Sequence, residues 1–385
     1  MNSNLANRLL ASIMEWEPQQ LANERVALEF MGSMKYDGYD RFMPGMRFMS
    51  SLVQWLNRLE KVDRDEAFKF IKTKLVFISS TQMNYLVDLI YDTNIRPLLL
   101  SKATKATGKA SYCLANKDVV KRFRIEKRSS LVIGLSDGAH IDILRRNAGF
   151  SNEQVLTNYY PDAEKIDDLL NKLKEDMEKM GDNTQYYQSI FLIDDFTASG
   201  KSFVRYDKKE KKYKGKLTKI IDQLCAENKK ATDEGKKACS EDKKHLSFVL
   251  DPNQNEIHID IFFCMATQKA KTNIENGLED YLKSRQFKKS VTFKIHIVQK
   301  LENDLSDSII SDDDLMAVLE KPQYLTDEVK KSEAYKVGNI TRPYLGFDEC
   351  ALPLVLSHNT PNNSLPILWQ DSEQFRGLFP RINRH

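Results

Sequence analysis

Residues 190–202 read Ile-Phe-Leu-Ile-Asp-Asp-Phe-Thr-Ala-Ser-Gly-Lys-Ser. Four apolar residues run into two adjacent carboxylates, Asp194 and Asp195, and then into a short turn of small and hydroxyl-bearing residues. A parallel strand buried on both faces reads as such a continuous apolar run, and open α/β sheets bind ligands at the carboxyl ends of their strands. The two acids can accept hydrogen bonds from a ribose diol. Thr197, Ala198, Ser199, Gly200, Lys201 and Ser202 then offer backbone N–H groups, hydroxyls and a helix N-terminus to a phosphate. The pattern predicts a grip on a ribose phosphate.

Gly200-Lys201-Ser202 also copies the tail of the P-loop, GxxxxGK[ST]. That motif needs a glycine where this chain has Asp195, so that the backbone can curl round a phosphate. The Asp195 charge would repel a triphosphate, and the P-loop reading fails. Composition narrows the class further. The chain has 385 residues, long enough for a large core in two or three modules. Its net charge of +3 is too small for a global nucleic-acid-binding field. Cys113, Cys225, Cys239, Cys264 and Cys350 are odd in number, scattered and without a CxxC pair. That spacing suits neither a disulfide framework nor a zinc site, and is expected of a reducing, cytoplasmic setting. No apolar run approaches the ~20 residues of a membrane span, and no signal peptide is expected.

Residues 1–105 read as a helical N-terminal domain. Leu5, Leu9, Leu10, Ile13 and Met14 recur at helical spacing, as do Leu52, Trp55, Leu56 and Leu59, with Gly32, Gly38, Pro44 and Gly45 as breaks. The aromatic, Met-rich Phe42–Phe48 stretch suits core packing better than a partner surface. From about 106 to 300 the texture changes to βα units. Strands are expected at 130–135, 189–193, 257–264 and 291–298, with helices over 142–146, 163–180 and 218–225. Strands alternating with helices predict a mostly parallel sheet flanked by helices. Lysine-rich insertions at Asp207–Lys216 and Lys229–Lys244 read as solvated segments, with a phosphate-tracking patch for RNA or DNA as the alternative. Residues 301–385 follow as a C-terminal lid or hood. There, dense polar residues including His358, Asn359, Asn362 and Asn363 sit between prolines and end at Trp369. Asparagines satisfying a turn and a loop reading a nucleobase edge are both open for that stretch.

The thirteen residues from Ile190 resemble the phosphoribosyl diphosphate (PRPP) signature of type I phosphoribosyltransferases: four hydrophobics, two acids, one apolar residue, and a Ser199-Gly200-Lys201-Ser202 ending. The resemblance covers roughly 120–300. It implies that Asp194 and Asp195 fix the ribose hydroxyls, that Thr197–Ser202 hold the 5′-phosphate, and that a loop after the first core strand binds pyrophosphate. Ser136, Asp137 and Gly138 occupy that place, with Gly138 expected to permit a positive φ. Asp137 is an odd neighbour for pyrophosphate unless Mg²⁺ lies between them. Mg²⁺ is expected to be bridged by the ligand rather than held directly by protein groups. His140, Arg145 and Arg146 lie near enough in sequence to approach the leaving phosphates, although such arginines are more often helix-surface residues. Ala198 stands where purine-salvage relatives carry an acid, which argues against purine salvage.

The helical front end and the 358–369 stretch are similar to phosphoribosyltransferase-like effectors of bacterial conflict systems, some of which accompany retron reverse transcriptases. That likeness implies a toxin-type enzyme restrained by a nucleoprotein or regulatory partner. Two functions are therefore expected to compete: phosphoribosyl transfer or related nucleotide cleavage, and a catalytically silent nucleotide-sensing module in a defence complex.

Overall fold

A computed structural model describes residues 3–157, 160–226, 246–331 and 340–381. The second lysine-rich stretch, Lys229–Lys244, lies outside the described residues. Nine strands occur among those described: β1 (Val76–Ile78), β2 (Ser130–Gly134), β3 (Val155–Leu156), β4 (Ser189–Thr197), β5 (Arg205–Asp207), β6 (Lys212–Lys214), β7 (Glu256–Thr267), β8 (Ser290–Leu301) and β9 (Leu354–Leu356). The chain divides into two compact units, Asn84–Lys300 and a unit made of Met1–Met83 with Leu301–His385.

The Asn84–Lys300 unit carries a five-stranded sheet in the order β3-β2-β4-β7-β8. Strand β2 pairs in parallel with β3 and β4, and β4 in parallel with β7. The mostly parallel α/β fold expected from the sequence is what the chain forms. Every residue of β2 is buried, and Ile190–Ile193 of β4 lie opposite Ile259–Phe262 of β7. Such strands have no solvent face, which is why they read as apolar runs without alternation. Helix Ala163–Lys179 buries Ile166, Leu169, Leu173 and Met177, a stripe at helical spacing capped by Asp162. Helix Gln268–Ser284 buries Ala270, Ile274, Leu278 and Tyr281.

Strand order explains where a ligand can sit. From β2 the chain moves to β3 on one side, then returns to place β4 on the other side of β2. The β2/β4 junction is therefore the point where strand order reverses, the place beyond the strand ends where open α/β sheets bind ligands. Strand β2 stops at Gly134, opposite Ile193, whereas β4 continues to Thr197 against β7 alone. Asp194 and Asp195 lie on this overhang, inside the strand rather than in a loop after it.

The other unit joins the two ends of the chain, which changes the domain division expected from the sequence. Residues 84–105 belong with the sheet, where Lys102 Nζ donates to Ser189 Oγ at 2.7 Å. The segment expected to be a separate lid supplies half of a shared core instead. Parallel strands β1 and β9 pair Val76–Ile78 with Leu354–Leu356. The Phe379 ring lies 5.3 Å from Tyr39, 6.0 Å from Phe48 and 5.6 Å from Phe77, centroid to centroid. Ser51 Oγ donates to Leu378 O at 2.7 Å and Trp55 Nε1 to Ile367 O at 3.0 Å. Helices rich in apolar residues bury their stripes against whatever apolar segments complete the layer, and here those come from residues 309–324 and 345–379.

Candidate functional site

The β4 overhang gathers the residues singled out in the sequence. The loop after β2 meets it directly: Leu135 N donates to Ile193 O at 2.8 Å, and Ser136 Oγ donates to Asp194 Oδ1. Asp194 is 1% exposed and Asp195 8%. Asp194 Oδ2 takes a second partner, Lys216 Nζ, at 2.9 Å. That ammonium also lies 4.9 Å from the centroid of the Phe203 ring. Burial, then the Asp195 charge, push the Asp194 carboxyl up to about 7, although Lys216 and Ser136 pull the other way. Burial and the same two acids raise the thiol of Cys264 on the adjoining strand.

The turn from Thr197 to Ser202 is held from behind. Thr267 Oγ1 donates to Ala198 O at 2.6 Å while accepting from Ala270 N at 3.0 Å, capping helix Gln268–Ser284. Asn273 Nδ2 donates to Ser199 O at 2.9 Å. Within the turn, Gly200 N donates to Thr197 Oγ1 at 3.3 Å and Lys201 N to Ser199 Oγ at 3.4 Å. Gly200 has φ +73°, and a Cβ there would meet Ala270 O at 2.8 Å and Ile274 Cγ1 at 2.9 Å. Only glycine fits both the left-handed backbone and the close approach. Carbonyls are thus tied back to helix Gln268–Ser284.

Two local expectations are corrected. The turn does not open a helix: after Ser202 the chain forms the β5–β6 hairpin, and the helix begins at Lys216. Gly215, with φ +148°, makes that entry possible, because a Cβ there would sit 2.1 Å from Phe203 O. In the β2 loop the left-handed residue is His140 (φ 47°), the residue preceding helix Ile141–Ala148, rather than Gly138. That loop presents Asp137 exposed and Gly138 buried. Arg146 is exposed and pairs with Asp142 on its own helix at 2.6 Å, as a helix-surface arginine does.

His358, Asn359, Asn362 and Asn363 belong to the other unit. Arg41 Nε donates to His358 O at 2.8 Å, and Thr360 N donates to Asn359 Oδ1 at 3.0 Å. Phe347 N donates to Asn362 O at 2.8 Å, and Asn363 Nδ2 donates to Phe347 O at 3.0 Å and to Cys350 Sγ at 3.4 Å. Asn359 thus satisfies a neighbouring backbone N–H, and Asn363 links a backbone carbonyl to the Cys350 thiol.

Sequence reading missed Lys216, Thr267 and Asn273. Thr267 carried a legible signal, a hydroxyl residue closing an apolar strand before a helical run. Lys216 did not stand out in a lysine-rich segment. Among the described residues no group of three His, Cys, Asp or Glu side chains is arranged to hold a metal ion. No helix among them is long and apolar enough to cross a membrane.

Searches against curated proteins and against solved structures returned no match. A family model described as PRTase-CE matches residues 52–381, spanning the overhang, the turn and most of both units. With a reversed strand order, twin carboxylates and a glycine-dependent turn at one sheet edge, the chain belongs to this phosphoribosyltransferase-like PRTase-CE family.

Proposed function

We propose that the β4 edge binds PRPP or a nucleotide through its ribose 5-phosphate and catalyses phosphoribosyl transfer or a related cleavage of the glycosidic bond. The observation that carries this reading is the pairing of two buried carboxylates with a braced small-residue turn at the point of strand reversal. In such a reaction the bond from the anomeric carbon to its leaving group breaks, and positive charge grows on the sugar. Asp194 and Asp195 accept hydrogen bonds from the ribose hydroxyls and face that charge. Thr197–Ser202 fix the 5′-phosphate, with Lys201 reaching toward it. Ser136–Gly138 lie where the leaving phosphates would be held, and Ser136 also keeps Asp194 oriented.

Mg²⁺ would arrive on the ligand's own oxygens, with Asp194 and Asp195 meeting it through the ribose hydroxyls rather than as direct ligands. It would neutralise phosphate charge. The Asp194–Lys216 ion pair favours a second reading, a silent nucleotide-sensing module, because that lysine already occupies one oxygen of a residue the sugar would use.

Isothermal titration of PRPP with Mg²⁺, followed by product analysis, separates the two: binding with bond cleavage supports the enzyme, and binding alone supports the sensor. Joint Asp194→Asn and Asp195→Asn substitution should abolish either. In the antiphage or toxin role, with a retron-type nucleoprotein or other regulatory partner as restraint, expression of the chain slows growth and the double variant does not; equal toxicity removes that role. His358, Asn359, Asn362 and Asn363 enter as acceptor-recognition residues only if their substitution changes acceptor choice and leaves PRPP affinity unaltered.

A further inference from the structure

Beside the phosphate-turn residue Ser202 lies a cavity of about 870 Å³ that the ribose-phosphate reading does not use. Its walls are the β5–β6 hairpin, the first turn of helix Lys216–Leu224, and the end of helix Gln268–Ser284. Arg205, Lys211, Lys212, Lys214, Lys219 and Arg285 line it, as does Lys216, against the single lining carboxylate Asp222. Nearby acids offset part of that charge: Glu210 pairs with Lys212 at 2.6 Å, Asp207 with Lys214 at 2.7 Å, and Asp222 with Arg285 at 2.8 Å. The balance of the lining stays positive. Arg205 Nη1 donates to Lys201 O at 3.2 Å, while its Nε is buried and has no hydrogen-bond partner among the described residues. The Arg205 side chain nonetheless lines the cavity and brings a guanidinium charge to it.

Three tyrosines form a ladder along the same wall. Tyr206 and Tyr213 have ring centroids 5.1 Å apart, and Tyr213 and Tyr281 5.6 Å. Tyr206 is half exposed. Tyr281, buried on helix Gln268–Ser284, and Tyr213 on the hairpin brace Tyr206 edge-on, which leaves Tyr206 as the exposed stacking platform. An anion pocket for phosphate alone has no use for them. An acidic peptide would satisfy the cations but leave the ring faces without a planar partner. A base-paired duplex would present the phosphates and hide the base faces. Unpaired nucleotides offer both chemistries at once, which is how grooves for single strands are built.

We propose that this tyrosine-lined basic cavity binds single-stranded nucleic acid, with phosphates on Arg205, Lys212 and Lys219 and a base stacked on Tyr206. The site is independent of PRPP binding, although Ser202 and Lys216 border both.

The test is fluorescence anisotropy of the full chain with a labelled oligothymidylate of about 12 nucleotides, within the span such sites occupy. Binding should weaken steeply with salt, and Lys212→Ala with Lys219→Ala should reduce the log–log salt slope by about 0.7 for each phosphate that is no longer neutralised. Tyr206→Ala should weaken binding at least about fivefold, and Tyr206→Phe should restore it, since the ring and not the hydroxyl stacks. PRPP affinity should be unchanged in all three variants, so failure here and failure of the ribose-phosphate reading are separately visible. No binding, equal binding of a duplex of the same length, an unaffected Tyr206→Ala variant, or equal displacement by inorganic triphosphate or polyglutamate would each overturn the proposal.

Discussion

Asp194→Asn should make the protein more stable at alkaline pH while removing ligand binding. The carboxyl is buried beside Asp195 and titrates at about 7, against an ordinary 3.8. Between those values the folded chain holds a proton that the unfolded chain has released. Its contribution to stability therefore falls as pH rises through that window, and the cost is complete above pH 7. Each pH unit inside the window is about 1.4 kcal/mol, so the wild type should lose about 3 kcal/mol relative to the variant between pH 5 and pH 8. Asparagine keeps the acceptor for Ser136 Oγ, and Lys216, 28% exposed at its side chain, can turn to solvent. Urea unfolding of both proteins at pH 5, 6, 7 and 8 reads the difference directly. Parallel stability profiles across that range, or a wild type that gains on the variant as pH rises, would refute the reasoning.

Other perturbations test different parts of the structure. Gly200→Ala puts a methyl against Ala270 O and Ile274 in a left-handed backbone, and should cost about 1–3 kcal/mol and most of the PRPP affinity, read by thermal unfolding and calorimetry. Burial would raise Asp260, but His258 at 3.6 Å and His296, hydrogen-bonded at 2.7 Å, hold it down at about 2. Its stabilisation is present above pH 4 and lost as pH falls toward 2, so Asp260→Asn at pH 5 should cost about 2 kcal/mol and nothing near pH 2, measured by urea midpoint. Phe379→Ala should destabilise the unit built from the chain ends by about 3–5 kcal/mol, whereas a lid residue would barely register.

The thirteen residues from Ile190 were enough to place the central strand, its carboxylates and the turn, because a doubly buried strand must be apolar and a phosphate turn must be small. Helix 163–179 was equally plain from one stripe of leucines. What stayed hidden was non-local. Nothing near Lys216 in sequence announces that its ammonium crosses to Asp194, and Asn273 braces Ser199 from the middle of an ordinary amphipathic helix. The β5–β6 hairpin was concealed by its own lysines, since charge runs read as solvated whether or not they pair. Residues 345–379 misled as a lid because their prolines and asparagines describe rigid turns, and rigid turns say nothing about which core they close over.

The shared core of the two chain ends has a consequence for biosynthesis. Phe379, Leu378 and Ile367 are made after residues 84–300, so the five-stranded sheet has all its strands on hand while the helices of residues 3–73 still lack their covering segment. Those helices must wait with Phe48, Trp55 and Phe70 unprotected, a long-range closure that is slow to form and open to chaperone capture. A chain arrested before residue 345 would therefore carry all the strands of the five-stranded sheet beside an unfinished companion.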